Sequence, residues 1–282
     1  MMEQYSAHKT LSVRVELIRQ LRRRRTAVAF ALVIALPVIV VLAVTFGPSS
    51  SGRGGLADGD LDVFGLLASG PWNFAVSGLL FSSAFLLVIL AAMFLGDTVA
   101  SEASWGTMRY LLVAPVPRRR FLFVKLVVGL LLTLAVLLVL VLASFLLGLL
   151  AFGSAPLASP LGGTLGAGES TVRLAVITGY IAVTLLVPAG IAFLASVSTD
   201  VPLGAVGAAV VIVIFANILD AIEALGSLRR LLPTDYGGAW ADALGSVIVW
   251  DQMALGFAYN VAVFAVLVGI AVFKFERKDI LS

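Results

Sequence analysis

The chain of 282 residues is 61% hydrophobic and 12% charged, with a formal net charge of +3 and a mean hydropathy of +1.10. Soluble domains carry about 25% charged and about 45–50% apolar residues, so this composition belongs to a polytopic membrane protein with little soluble mass. The lack of cysteine excludes disulfides, thiol catalysis and thiolate metal centres, and a lone histidine, His8, excludes histidine triads and multi-histidine metal sites.

Residues 1–25 make a basic N-terminal segment. Leu11, Val15, Ile18 and Leu21 recur there at helical spacing, with arginines over much of the remaining surface. That pattern predicts an amphipathic helix lying in the membrane interface. Four consecutive arginines, 22–25, then abut the first apolar run and act as a topology signal. A basic cluster pressed against a span fits a membrane boundary better than a nucleic-acid surface, and no nucleic-acid partner is expected.

Six stretches are long and apolar enough to cross a hydrocarbon core of ~30 Å, which takes about 20 helical residues. They lie at 26–46, 75–95, 122–152, 172–197, 202–222 and 253–273, giving an all-α transmembrane domain over 26–273 and a short tail, 274–282. The third carries no charge from 126 to 152. At ~1.5 Å per residue that run exceeds the thickness of the core, so tilt or protrusion is expected. Pro37 and Pro188 fall inside spans, where neighbouring helices can satisfy the freed backbone groups.

Of the nineteen Lys and Arg residues, fifteen fall on the N-terminal side of this alternation. Only Arg53, Arg173, Arg229 and Arg230 fall on the other. The positive-inside rule then puts both termini in the cytoplasm. No small-residue cleavage site follows the first apolar run, so a cleaved signal peptide is the poorer reading.

The external segments offer little chemistry. Asp58, Asp60 and Asp62 alternate in the loop 47–73, but the further ligands of a calcium loop are missing, and a solvated loop is the better reading. Residues 47–54 echo a phosphate-binding loop, with Arg53 for lysine and Gly54 for the hydroxyl residue, and they follow a membrane helix rather than a strand. The glycine-rich run 162–166 lacks a following lysine, so no nucleotide site is readable in the chain. Segment 223–252 mixes apolar residues with Pro233, Gly237, Gly238, Trp240 and Trp250. Short helices dipping into the outer leaflet and an ordinary external loop both suit it. Near the outer end of the fifth span, Asn217 and Asp220 share a face, and Phe215 lies close in sequence. These three are candidates for a substrate path, with the water interface as the plainer reading. Carboxylates deep within spans are scarce, which argues against a proton-coupled secondary transporter.

The loop between the second and third spans, 97–118, is the most distinctive segment. It holds Asp97, Glu102, Gly106, Thr107, Arg109 and Arg118, with Lys125 beyond. Glu102, Gly106 and Arg109 are spaced four and three apart and would share one helix face, which Pro115 and Pro117 would terminate. Composition alone leaves open a short helix at the membrane surface or a solvated connector with topogenic arginines.

The order Glu102-x-x-x-Gly106-Thr107, then Leu111-Leu112, then Pro115-Val116-x-Arg118, then Lys125 resembles the corresponding loop of ABC-2-type permeases, the membrane subunits of ATP-binding-cassette exporters. The tail Phe-Lys-Phe-Glu-Arg-Lys-Asp-Ile, 273–280, resembles that family's closing stretch, and the order of elements is similar along the whole chain. The chain departs from the pattern in its triple arginine, 118–120, where a single basic residue is usual.

The resemblance implies a non-catalytic permease subunit in the plasma membrane of a prokaryote, surrounded by membrane lipids. It would work as a homodimer, or as a heterodimer with a similar permease. A separate cytosolic ATPase subunit would bind ATP and Mg, leaving no cofactor or metal in this chain. The cargo would be hydrophobic or amphipathic: a drug, an antibiotic or a lipid moved outward. Asp97, Glu102, Gly106, Thr107, Arg109, Arg118 and Lys125 would serve the coupling helix, with Glu102 making charged contacts with the ATPase and Gly106 allowing close approach. A secondary transporter and a structural or assembly membrane protein are the competing readings, and neither needs such a loop. A membrane aspartyl protease is disfavoured, because Gly96-Asp97 has no convincing partner aspartate.

Overall fold

The computed structural model describes residues 12–46, 69–104, 117–158, 163–245 and 247–277. The protein is an all-α, multi-pass helical membrane protein, with six helical stretches long and apolar enough to cross a bilayer.

Helix α1 (Val13–Leu21) starts at Ser12, whose side chain accepts the Val15 N–H at 3.3 Å and so satisfies one of the unpaired donors of the first turn. Helix α2 (Arg24–Phe46) follows after two residues and runs unbroken through Pro37.

The second apolar stretch forms two helices, α3 (Pro71–Ser83) and α4 (Leu86–Ser104), rather than the single predicted span 75–95. Its start is marked by Pro71 in the first turn, where the missing N–H costs nothing. Gly70 precedes it at φ 154°, and a β-carbon there would lie 2.7 Å from the Ala155 carbonyl oxygen. The break at Ala84 and Phe85 follows a Ser82–Ser83 pair, and the Ser83 hydroxyl donates back to the Leu80 carbonyl at 3.2 Å, a pattern that bends helices.

Helix α5 (Arg118–Phe152) is a single element of 35 residues ending at Gly153, φ 77°. At ~1.5 Å per residue it is about 50 Å long, more than the ~30 Å thickness of a hydrocarbon core. A two-residue antiparallel ladder, β1 (Leu157–Ala158) with β2 (Thr164–Leu165), follows. The second strand includes part of the glycine-rich run that resembled a phosphate loop.

The fourth stretch is also split, into α6 (Ala167–Thr184) and α7 (Leu186–Ser198). The proline at 188 explains the break: its ring excludes the carbonyl four residues earlier, which is that of Thr184. Helix α8 (Pro202–Asp220) and helix α9 (Asp251–Arg277) complete the bundle. Between them lie two 3-10 helices, Glu223–Leu231 and Ala239–Leu244.

Helices α4 and α7 pack together at the centre. Helices α2 and α3 lie against α5 on one side, and α8 and α9 lie against α7 on the other. Glycine makes one central contact possible: a β-carbon on Gly96 of α4 would sit 2.9 Å from the Val206 side chain of α8. Helix α4 is the most enclosed of the long helices, and α2 and α9 are the least.

The contacts divide the bundle into two ends. Ion pairs and hydrogen bonds join α1, the end of α4, the start of α5 and the end of α9 at one of them, called the basic end below. Both described termini therefore share one end, as an even number of crossings requires.

Candidate functional site

At the basic end a cluster of charged side chains lies out of contact with solvent. Glu16, Glu102 and Lys125 are each 1% exposed, on α1, α4 and α5 respectively. The Lys125 Nζ lies 2.9 Å from Glu16 Oε1 and 2.8 Å from Glu102 Oε1. Arg19 adds a second cation: it bonds Glu16 at 2.9 Å and also pairs with Glu102. Gln20, on the next turn, donates to Glu16 at 2.9 Å. Two carboxylates are thus balanced by one ammonium and one guanidinium. The Phe121 ring lies 5.5 Å below the Lys125 Nζ, a favourable cation–π position.

Burial alone would raise the Glu16 carboxyl. The Lys125 charge opposes it, and with the hydrogen bonds from Arg19, Lys125 and Gln20 it holds Glu16 below its ordinary value of 4.5. The carboxylate is therefore the resident form. Taking such ions out of water is costly, and the arrangement persists only because every member is paired.

A second set of pairs extends the brace. Asp97, on α4, accepts from Arg23 at 3.1 Å and also pairs with Arg25. Arg25 reaches Gln20 at 3.0 Å, and the Thr26 hydroxyl donates to the Gln20 carbonyl at 2.7 Å. The α1–α2 corner is therefore fixed to the same stretch of α4 from two directions. From its far side, α4 is held by Ser196 of α7, whose hydroxyl oxygen accepts the N–H groups of Val99 and Ala100, both at 3.0 Å.

Helix α1 turns its apolar stripe away from the rest of the protein. The side of α1 turned to the protein carries Glu16 and Gln20, whereas Val15, Ile18 and Leu21 are exposed. In a membrane interface this is the sensible arrangement, because the exposed stripe meets lipid rather than water. Leu11 lies outside the described residues.

Of the residues expected to serve coupling, Asp97, Glu102 and Lys125 come together in this region. Arg118 does not join them, and instead donates to the Glu276 carbonyl on α9 at 3.0 Å. Gly106, Thr107 and Arg109 lie outside the described residues. The expectation that Glu102 itself touches an ATPase needs correction: its carboxylate faces inward and is occupied by Lys125 and Arg19. Asp97–Ser104 is also the continuous end of α4, not a separate short helix.

Phe215, Asn217 and Asp220 do not form one site. Phe215 points outward, 61% exposed. The Asn217 amide turns back to the Val213 carbonyl at 3.0 Å, and Asp220 pairs with Arg229 at 3.3 Å. An apolar cavity of about 260 Å³ lies elsewhere, between α5 and the α6–α7 break, lined by Leu130, Thr133, Leu137, Ala182 and Leu185 among others.

At the opposite end the described part of segment 223–252 contains short helices. Its two 3-10 helices cap the bundle, with Trp240 buried. Arg173 of α6, itself buried, donates to the Ala243 carbonyl at 2.7 Å and also to that of Gly245. The Tyr180 hydroxyl donates to the Tyr236 carbonyl at 2.7 Å. Asn73 of α3 exchanges two hydrogen bonds of 2.9 Å with the backbone of Ala158.

The sequence reading missed Glu16, Arg19, Gln20, Arg23 and Arg25 as parts of a site. Their signal was there: Glu16 is the one acid among the basic residues 9–25, with Arg19 and Gln20 three and four positions on.

No curated protein matches the chain. The family model described as protein of unknown function, DUF2705, matches residues 61–281, taking in α3 to α9 with Glu102 and Lys125. That match covers well over half of the sequence, and the chain belongs to the DUF2705 family.

Proposed function

We propose that the chain is the permease subunit of an ATP-driven exporter of the ATP-binding-cassette type, set in the plasma membrane of a prokaryote with both termini in the cytoplasm. It works as a dimer, and each copy docks on a separate cytosolic ATPase that binds and hydrolyses ATP with Mg. The chain itself carries no catalytic step.

The observation that carries this reading is the buried cluster of Glu16, Glu102 and Lys125, joined from the surface by Arg19. Segment 105–116 connects the two helices that this cluster clamps: it leaves α4 two residues after Glu102 and meets α5 seven residues before Lys125. A force applied to that segment by a docked ATPase therefore reaches α4 and α5 through their braced ends, with α1 as part of the same unit. Transmission of a mechanical stroke requires such a stiff element with discrete arrangements. The motif residues Gly106, Thr107 and Arg109 belong to the connecting segment and are the natural contacts for the ATPase. Glu102 and Lys125 are positioning residues. The apolar cavity beside the α6–α7 break suits a hydrophobic or amphipathic cargo.

Purification of the tagged chain in mild detergent from native membranes tests the reading. The expected result is a cytosolic ATPase recovered one-to-one, in an assembly of two plus two. ATP hydrolysis by that assembly should lose its response to cargo in a Glu102→Gln variant that still assembles. Recovery of the chain alone, even after crosslinking with added nucleotide, removes the partner on which the proposal depends.

A further inference from the structure

The outward side of α1 carries charge as well as an apolar stripe. Arg14, Ile18 and Arg22 follow one another at intervals of four along the helix, and Val15 and Leu21 flank that line. All five are exposed, as is Arg24 at the start of α2. Only Arg22 and Arg23 separate α1 from α2, so α1 lies where the first span leaves the hydrocarbon. The exposed apolar side chains continue from Leu21 to Val28 and Leu32 on α2. What α1 meets on this side is therefore what surrounds the first span: a lipid leaflet, at the depth of its headgroups.

Positive charge is in excess at this corner. Residues 12–26 hold six arginines and one acid, Glu16. Glu16 and Glu102 are balanced by Lys125 and Arg19, and Asp97 is met by both Arg23 and Arg25. Among the described residues, Arg14, Arg22 and Arg24 pair with no carboxylate. The segments 1–11, 105–116 and 278–282 lie outside the described residues, and their composition does not cancel the excess: Glu3 and Asp279 stand against Lys9, Arg109 and Lys278. Arginines on an interfacial helix reach headgroup phosphates while their stems stay at the apolar boundary. Their guanidiniums suit the two parallel hydrogen bonds that a phosphate accepts. A topology signal uses the same charges only while the chain inserts, and gives the folded protein no lipid preference.

We propose that the outward side of α1, with the α1–α2 corner, is a binding surface for anionic phospholipid headgroups. Arg14, Arg22 and Arg24 hold the phosphates, and Val15, Ile18 and Leu21 sit among the upper acyl chains. The inward side of the same helix is held by Glu16 in the buried cluster. Anionic lipid and Lys125 therefore fix α1 from opposite sides, whether or not an ATPase docks. A zwitterionic lipid offers the same phosphate without net charge, and so gains little from the excess of arginine.

Native mass spectrometry of the full chain, delipidated in mild detergent and titrated with phosphatidylglycerol or phosphatidylcholine of matched chains, tests the surface. Phosphatidylglycerol should be retained in preference. Arg14→Gln, Arg22→Gln and Arg24→Gln together should weaken it by about fivefold for each cation removed and leave phosphatidylcholine unchanged. The matching triple change to lysine should keep most of the preference, because the charge remains. In nanodiscs, hydrogen exchange of the α1 amides should be slower with phosphatidylglycerol than with phosphatidylcholine, and the glutamine variant should lose that difference. Should that variant fail to fold, the wild type in about 1 M salt carries the test, since screening there removes the attraction. Equal retention of the two lipids overturns the proposal, as does a preference that survives either the glutamine changes or the salt. Dimers held through α1 in discs free of phosphatidylglycerol would assign this side to a second copy and overturn it equally.

Discussion

Lys125 at the basic end is neutralised by two carboxylates, Glu16 and Glu102, which lie 109 and 23 residues away in the chain. At the opposite end Arg173 is held by Glu169, one turn back on its own helix, and by the carbonyl oxygens of Ala243 and Gly245. Both cations are buried, yet they are satisfied in different ways. The lysine is locked between ions that have nowhere else to go, whereas the arginine rests on neutral backbone and on a carboxylate that is half exposed to solvent. The first arrangement fastens three helices by charge and responds to any change of charge. The second ties a cap to a helix end and tolerates more. The two ends thus differ in how they are joined: by paired ions at one and mainly by backbone carbonyls at the other.

That contrast can be broken most severely at Lys125. Lys125→Met leaves Glu16 and Glu102 buried with too little positive charge, and a loss of about 3–5 kcal/mol is expected. Denaturant titration of the detergent-solubilised protein would measure it, with trypsin cleavage at the arginines 22–25 reporting release of α1. The triple variant Glu16→Gln, Glu102→Gln, Lys125→Met should recover much of the loss, because the uncompensated charges are gone with the lysine. Absence of that recovery would contradict the account of the cluster as mutually neutralising ions.

Arg173→Met should cost less, about 1–3 kcal/mol, since it strands neutral carbonyls while Glu169 turns to water. Hydrogen exchange should accelerate over residues 239–245 and stay unchanged in α1. Equal disturbance at both ends would erase the comparison. Tyr180→Phe deletes only the hydrogen bond to the Tyr236 carbonyl, an effect of about 1 kcal/mol seen as a small rise in exchange over the same cap.

Acid supplies the gentlest test. The folded Glu16 carboxyl is more acidic than its ordinary value of 4.5, so its contribution to docking is complete above about pH 4.5 and is lost as the pH falls through the lower folded value. Exchange of the α1 amides should therefore rise below that pH. The Arg173 seam has no such dependence on Glu16. A cap that loosened together with α1 would show that the two ends are not separate.

Much of the architecture was legible because apolar length is a direct record of membrane crossing. All six apolar stretches become helices, and Pro188 carries the reason for the α6–α7 break in its own ring geometry. The α3–α4 break was not legible, since it rests on a pair of serines within an unbroken apolar run. Glu102 and Lys125 were singled out, but the partner assigned to Glu102 was outside the chain, because pairing across 83 residues to Arg19 leaves no mark on local spacing. The outward stripe of α1 was legible in Val15, Ile18 and Leu21, but the docking of its polar side through Glu16 and Gln20 was not. Its apolar stripe would face a core in water, but in an interface the lipid takes that stripe and the polar side becomes the docking surface.

The distance along the chain between Glu16 and Lys125 also sets an order of assembly. Lys125 leaves the ribosome 109 residues after Glu16, and at about 5–20 residues per second that is a delay of roughly 5–20 s. For that interval the first helix has its lipid stripe and the neighbouring Arg19, but no ammonium to close on. The joint can form only after α4 and the start of α5 have been made, so α1, synthesised before both, waits unlocked until they follow.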